Sequence, residues 1–370
     1  MKTDDHIIFM QTALKLAEKG ISRVEPNPAV GCVIVRDNNI IGKGWHKCFG
    51  GPHAEINALE DCRSNGHDPE GAVMYVTLEP CCHHGKTPPC TAAIIKTGIK
   101  KVVVAMTDPF EKVSGKGLKI LSNAGIEVVK DICTEQAEFL NAPFIKFATE
   151  KKTWVILKWA QSFDGFLAWS KECIGQRWIS NEKSRRNAHK IRRRAQAILV
   201  GINTVLQDDP LLTQRPARSK GILRVVLDSN LRIPFDCKLV KTAKKHSLMV
   251  VSTQPAVEDN LEKAAKLKEL GVQLLLLPIV NRRCDLGSLL AELAERDIGQ
   301  LLVEGGADAI TSFIDKELAD EICVYIAPVI LGSAGRVPIS EPMIRVSDSK
   351  YLKNIEIKHF DGDIKISGRI

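Results

Sequence analysis

Short aliphatic runs, each about the length of one β-strand, recur along the chain and are separated by stretches with helical spacing. That alternation is what most restricts the fold, because it calls for α/β architecture built on open sheets. In the first part the runs are 29–35, 40–45, 73–78 and 102–106, with helical patterns opening the chain up to Gly20, from His53 through Leu59, and over 91–97. Asp37-Asn38-Asn39 reads as a hairpin turn between the first two strands. In the second part strands are expected at 154–159, 197–200, 224–227, 248–251, 274–277, 301–303 and 322–326. Helices are expected at 182–194, 286–295 and 309–316, so a mainly parallel sheet follows.

The chain has 370 residues, beyond the roughly 250 to 300 at which single cores stop growing, so two domains are expected. The charged stretch Thr149 to Thr153 marks the boundary, giving domains 1–150 and 151–370. Charge also divides there. Residues 1–150 carry 17 Lys and Arg against 18 Asp and Glu, a net of −1; the remainder carry 35 against 26, a net of +9. Either an anionic ligand for the second domain or a merely soluble basic surface accounts for the excess. With 44% hydrophobic and 26% charged residues the chain is neither disordered nor low in complexity. It carries no apolar run long enough for a membrane span, and its start lacks the order of a signal peptide. A soluble, cytoplasmic protein is expected. Eleven cysteines without regular spacing argue for reduced thiols and metal ligation rather than a disulfide framework.

Three pieces carry chemistry in the first domain: His53-Ala54-Glu55, Glu79-Pro80-Cys81 and Pro88-Pro89-Cys90. One imidazole and two thiolates, His53, Cys81 and Cys90, make a zinc set with one tetrahedral position left for water, and an open position means catalysis. Zinc lowers the pKa of such water to about 7 and so supplies hydroxide. Glu55 is placed to carry protons from water to a departing amine. His53 and Cys90 each begin an expected helix, whose positive end favours thiolate. Three alternatives stay open on the residues alone: His84 in place of Cys90, a closed structural site completed by His83 or His84, and a cysteine cluster without metal.

The order His-Ala-Glu, Pro-Cys, Cys resembles the cytidine-deaminase-like zinc hydrolases, although eight residues separate the two cysteines where most have two. The longer loop, with Pro26-Asn27-Pro28-Ala29-Val30-Gly31 and Gly115-Lys116-Gly117, is similar to the deaminase half of the bifunctional riboflavin-biosynthesis deaminase-reductases. The resemblance implies a cytidine-deaminase-like α/β/α sandwich with Glu55 catalytic and one Zn²⁺ per chain. It also implies that Asn27, His46, His83, Lys86 and Thr87 hold a diamino-pyrimidinone bearing ribosylamino 5-phosphate.

The second domain has no Gly-x-Gly-x-x-Gly after a strand, so an ordinary Rossmann site is not supported. Glu304-Gly305-Gly306 ahead of a helix offers another phosphate cradle. With Lys158 to Gly165, Arg177-Trp178-Ile179-Ser180, Ala197 to Gly201 and Thr204 to Thr213, it is similar to the reductase half of the same family. That half resembles dihydrofolate reductase in fold and uses NADPH. By this resemblance Gln161, Trp178, Thr204, Asp208, Ser229, Gly306, Ala307, Asp308, Ala309, Ile310, Thr311 and Ser312 contact NADPH. Gln176, Arg192, Leu212, Arg215 and Glu304 face the phosphosugar, with Arg192 and Arg215 suited as phosphate forks. A solvated helix face is the plain reading for at least two of Arg192, Arg193 and Arg194.

The sequence departs from the family at Phe166, where a basic residue is usual, through Leu167 to Gly175, and at Gln176, where serine is common. The implied activity is deamination of 2,5-diamino-6-ribosylamino-4(3H)-pyrimidinone 5′-phosphate, then reduction of its ribosyl group to ribityl. A homo-oligomer, dimer or tetramer, acting on a small molecule without nucleic acid or membrane is expected. The rival is a zinc-dependent nucleic-acid base deaminase with an accessory basic domain. It is weakened by an aromatic content of 5% and by the location of the basic excess. A non-enzymatic zinc module is the third class.

Overall fold

The chain divides between Lys151 and Lys152 into two units, Met1–Lys151 and Lys152–Ile370. The computed structural model describes residues 3–83, 88–110, 114–169, 178–215, 221–332, 335–336 and 351–370. His84, Lys86, Thr87 and Gln176 lie outside the described residues.

In the first unit, strands β1 (Gly31–Arg36) and β2 (Asn39–Trp45) form the expected hairpin. Asp37 and Asn38 take φ of 49° and 62°, the left-handed pair that matches the twist of a tight hairpin. On its other edge β1 pairs antiparallel with β3 (Val73–Val76), and β4 (Lys101–Val104) and β5 (Glu127–Val129) continue the sheet in parallel. The pleat sends alternate residues to opposite faces. Cys32, Ile34, Met74, Val76, Val102 and Val104 form one apolar face, under helices α2 (Ala54–Ser64), α3 (Cys90–Lys96) and α4 (Lys116–Asn123). Val33, Val35, Tyr75 and Val103 form the other, under α1 (Thr3–Glu18) and α5 (Thr134–Glu150). This is a three-layer α/β/α sandwich. Gly44 lets α2 press onto β2, since a Cβ there would lie 2.3 Å from the Ala54 carbonyl oxygen and the Ala58 nitrogen.

The second unit is built on nine strands in the order β11-β10-β9-β8-β14-β6-β15-β18-β17. These are β6 (Trp154–Ser162), β8 (Ala197–Gly201), β9 (Leu223–Leu227), β10 (Leu248–Ser252), β11 (Val272–Leu276), β14 (Gln300–Glu304), β15 (Glu321–Ala327), β17 (Lys353–Phe360) and β18 (Asp363–Arg369). From β11 to β15 the pairings are parallel, as expected, and β18 and β17 add an antiparallel edge. Two small pairs lie apart: β7 (Ala168–Trp169) with β16 (Gly335–Arg336), and β12 (Ile279–Val280) with β13 (Arg283–Cys284).

The helices are α6 (Glu182–Arg194), α7 (Ile202–Asp208), α8 (Lys238–Lys241), α9 (Gln254–Glu258), α10 (Leu261–Glu269), α11 (Leu286–Glu295) and α12 (Ala307–Asp315). Val155, Leu157, Leu199, Leu301 and Val303 of the sheet pack against Leu289, Leu293, Ile310 and Phe313 of α11 and α12. The Asn181 side chain caps α6 by accepting the Ser184 N–H at 3.0 Å, which explains why that helix begins where its basic pattern does.

Candidate functional site

His53 is the N-cap of α2, and Cys90 is the first residue of α3. Cys81 follows the turn after β3. His53 Nδ1 lies 3.3 Å from Cys90 Sγ and 3.5 Å from Cys81 Sγ, and the three donor atoms are all within 4.8 Å of one another. Among the described residues no further His, Cys, Asp or Glu joins them; His83 is exposed on the wall of the adjoining cavity. The Cys90 thiol, together with His53 and against the effect of burial, pulls Cys81 down to about 4. Cys90 is itself pushed up by holding that proton and by burial. Such a cluster has a stabilised thiolate, an imidazole and a second sulfur aimed at a common point, and it fits zinc in donor type and in number.

Glu55 sits in the first turn of α2 with 3% of its surface exposed. Burial, and the Cys81 sulfur beside it, raise its carboxyl above the ordinary range. It lines a cavity of about 720 Å³ together with Asn27, His46, His53, Cys81 and His83. His46 Nδ1 lies 3.0 Å from the Pro52 carbonyl oxygen and must therefore donate to it. Its Nε2, 3.3 Å from Asn27 Nδ2, is then the acceptor, and burial holds the ring below its usual pKa in that neutral form. Three aromatic rings, Phe49, Phe110 and Phe144, also line the cavity, and nothing in the spacing of those residues announces it.

Sequence reasoning also misses Glu79, a second carboxylate in the cavity wall. Its oxygens accept the backbone N–H groups of Asp108, Gly115, Gly117 and Leu118 at 2.8 to 3.3 Å, so it braces the chain next to Cys81. Gly117 permits this, because a Cβ there would lie 2.3 Å from the Pro80 carbonyl oxygen. The Gly115-Lys116-Gly117 motif was the available signal.

In the second unit the polar residues gather at the C-terminal ends of the parallel strands, where open sheets take ligands. Glu304 ends β14 and is gripped by Arg192 of α6 through two bonds of 2.7 and 2.8 Å. Arg192 also donates to the Thr213 carbonyl oxygen at 3.1 Å, and Lys158 of β6 stands 3.9 Å from Glu304. Burial pushes the Glu304 carboxyl up, yet Arg192 and Lys158 override it and hold it at about 2. Arg192 and Glu304, both expected to face substrate, thus face each other. The expectation of a solvated face for at least two of Arg192, Arg193 and Arg194 is corrected: all three are partly buried, and Arg194 forks onto Glu321 at 2.8 and 3.0 Å. Arg192 and Arg194 turn inward because α6 packs against β14 in the middle of the sheet, within reach of Glu304 on β14 and Glu321 on β15.

Gly305 and Gly306 have φ of 65° and 58° ahead of α12, and a Cβ on Gly306 would come within 3.0 Å of Thr204 Oγ1 on α7. Of the stretch that follows, Ala309 and Ile310 are buried in the core, while Asp308 bonds Asn203 at 3.1 Å. Ser312 Oγ donates to the Asp308 carbonyl oxygen and accepts from Arg283 at 3.0 Å. Ser229 follows β9, and its Oγ accepts the Cys284 N–H at 3.1 Å. Gln161 accepts from the Trp159 indole at 2.7 Å. Trp178 is exposed with Arg185 over its ring, Asp208 is an exposed residue at the end of α7, and Arg215 is exposed. Leu212 is buried, with φ of 53°.

Residues 3–106 match the cytidine and deoxycytidylate deaminase zinc-binding region, and residues 153–366 match the RibD C-terminal domain. The chain is 42% identical over 360 residues to riboflavin biosynthesis protein RibD of Aquifex aeolicus, covering 97% of this chain and 96% of that one. With RibD of Escherichia coli the identity is 36% over 370 residues, 96% and 97% covered. Acinetobacter baumannii RibD superposes with a TM-score of 0.84 at 34% identity over 100% of this chain and 99% of that one. A diaminohydroxyphosphoribosylaminopyrimidine deaminase/5-amino-6-(5-phosphoribosylamino)uracil reductase from Thermotoga maritima superposes at 0.81 with 36% identity, 99% of each covered. With a cytidine-deaminase-like unit ahead of a dihydrofolate-reductase-like one, the chain belongs to the RibD family of riboflavin-biosynthesis proteins, bifunctional deaminases and reductases.

Proposed function

We propose that the first unit deaminates 2,5-diamino-6-ribosylamino-4(3H)-pyrimidinone 5′-phosphate and that the second reduces the product with NADPH to 5-amino-6-ribitylamino-uracil phosphate. The observation that carries the deaminase assignment is the burial of Glu55 in one cavity with His53 and Cys81, whose donor atoms lie within 4.8 Å of the Cys90 sulfur. These three residues would hold zinc, which when bound supplies Lewis acidity and lowers the pKa of a neighbouring water to about 7. Glu55 takes the proton from the attacking water and delivers it to the departing amine. The raised proton affinity of its buried carboxyl suits both halves of that shuttle. Asn27 and His46 hold the pyrimidine, their mutual hydrogen bond setting which edge each presents. His83, Lys86 and Thr87 take the phosphate end.

In the reductase unit Gln161, Trp178, Thr204, Asp208, Ser229 and the stretch Gly306 to Ser312 hold NADPH, which supplies the hydride. Gln176, Arg192, Leu212, Arg215 and Glu304 bound the phosphosugar. The hydride goes to C1′, the bond from C1′ to the ring oxygen breaks, and that oxygen takes a proton from solvent.

Glu55→Gln tests the first half. Formation of the deaminated product is expected to fall by about 10²- to 10⁴-fold with zinc still bound at one per chain by metal analysis. Retained activity removes Glu55 from the chemistry. Tritium passing from labelled NADPH into the ribityl product tests the second half, and its absence removes the reductase assignment.

A further inference from the structure

The exposed basic residues beside β9 gain a task from the direction in which a dinucleotide must lie, and this inference rests on the reading of the second unit as an NADPH reductase. Arg192 and Lys158 gather about Glu304, at the end of β14 and midway along β6. The glycine pair at 305–306 meets Thr204 on α7, so a pyrophosphate cradled there lies between β14 and β8. A nicotinamide turned toward β6 therefore leaves the adenosine end over β8 and β9, where Ser229 stands.

Two arginines from separate segments bond Asn203 and Ser312, both of which bond Asp308. Arg232, in the loop after β9, donates from Nη2 to Asn203 Oδ1 at 3.0 Å, and Arg283 of β13 donates from Nη1 to Ser312 Oγ at 3.0 Å. Both side chains are exposed, and each ends on a neutral acceptor, so neither bond cancels its charge. Of the neighbouring carboxylates, Asp308 accepts from Asn203 at 3.1 Å, and Asp228, which accepts the Ile233 N–H at 2.7 Å, feels the Arg232 charge. The hairpin carrying Arg283 is tied down, because the next residue, Cys284, gives its N–H to Ser229 Oγ. Asn281 and Arg282 close that hairpin with φ of 51° and 62°.

We propose that Arg232 and Arg283 receive the 2′-phosphate of NADPH and set the preference of this enzyme for NADPH over NADH. Guanidinium forks match a phosphate dianion in geometry as well as charge, and Asn203 and Ser312 keep the two forks aimed. The test measures kcat/KM with NADPH and with NADH for the full-length wild type, R232A, R283A and R283K. The NADPH-to-NADH quotient is expected to fall about tenfold or more in each alanine variant, the loss of a charged hydrogen bond, and less in R283K. Inhibition by adenosine 2′,5′-bisphosphate should weaken relative to 5′-AMP by a similar factor. Equal losses with both cofactors, or no change with either, overturn the proposal. A wild type that uses NADH as well as NADPH overturns it too while leaving the reductase reading intact. A wild type that oxidises neither removes both.

Discussion

Glu304 is a carboxylate with 6% of its surface exposed that stays ionised because Arg192 and Lys158 surround it. Its folded pKa of about 2 lies below its ordinary 4.5, so the pair stabilises the fold fully above about 4.5, and that contribution is lost as pH falls toward 2. Glu304→Gln is expected to cost about 3 kcal/mol at neutral pH, since it strands a buried guanidinium. In denaturant unfolding, the gap between variant and wild type should close on acidification; a gap that is constant with pH contradicts the assignment. The cluster of His53, Cys81 and Cys90 was readable because histidine and cysteine beside Glu55 are scarce types with few alternative reasons to gather. Glu79 was not, since its role is set by the N–H groups of residues 108 to 118, which only the folded chain brings to it.

At the scale of elements, the position of α2 governs the metal donors, because its first turn holds Glu55 and its cap is His53. Gly44→Ala forces a Cβ into the α2 backbone and is expected to cost about 1–3 kcal/mol. Zinc should also leave this variant faster in a competition with a chelator; an unchanged stability and off-rate would show that α2 does not rest on β2. The helices α6 and α11 were legible from their helical spacing, and the structure adds the caps Asn181 and Asp285. The edge pair was not, for a specific reason. In β18 the buried positions are Asp363, Lys365, Ser367 and Gly368 while Ile364 and Ile366 are half-buried, which inverts the usual polarity. Strand β17 is exposed at every position but Phe360 and so shows no alternation at all. Helices α8 and α9, of 4 and 5 residues, are too short to display a period. The strand β14 runs beyond its apolar core to two buried polar ends, Gln300, whose backbone N–H bonds Gln196, and Glu304, held by Arg192.

Over the whole molecule the charge divides as the two units do, near-neutral in the first and basic in the second. Separate sites imply separable activities. Glu55→Gln supplied with the deaminated intermediate is expected to oxidise NADPH at the wild-type rate. A zinc chelator should silence ammonia release without slowing that oxidation, as ammonia and absorbance assays would record. Loss of both activities together would tie the second site to the first. No helix among the described residues is long and apolar enough to cross a membrane.

Residues 151–153 alone separate the last helix of the first unit from the first strand of the second. A ribosome that finishes one catalyst therefore goes on to make the other, and this chain supplies the two one to one whatever the strength of transcription. Changes in the dosage of this gene scale both units together, so the balance it sets between deamination and reduction follows from the turnover of each unit and not from separate supply of protein.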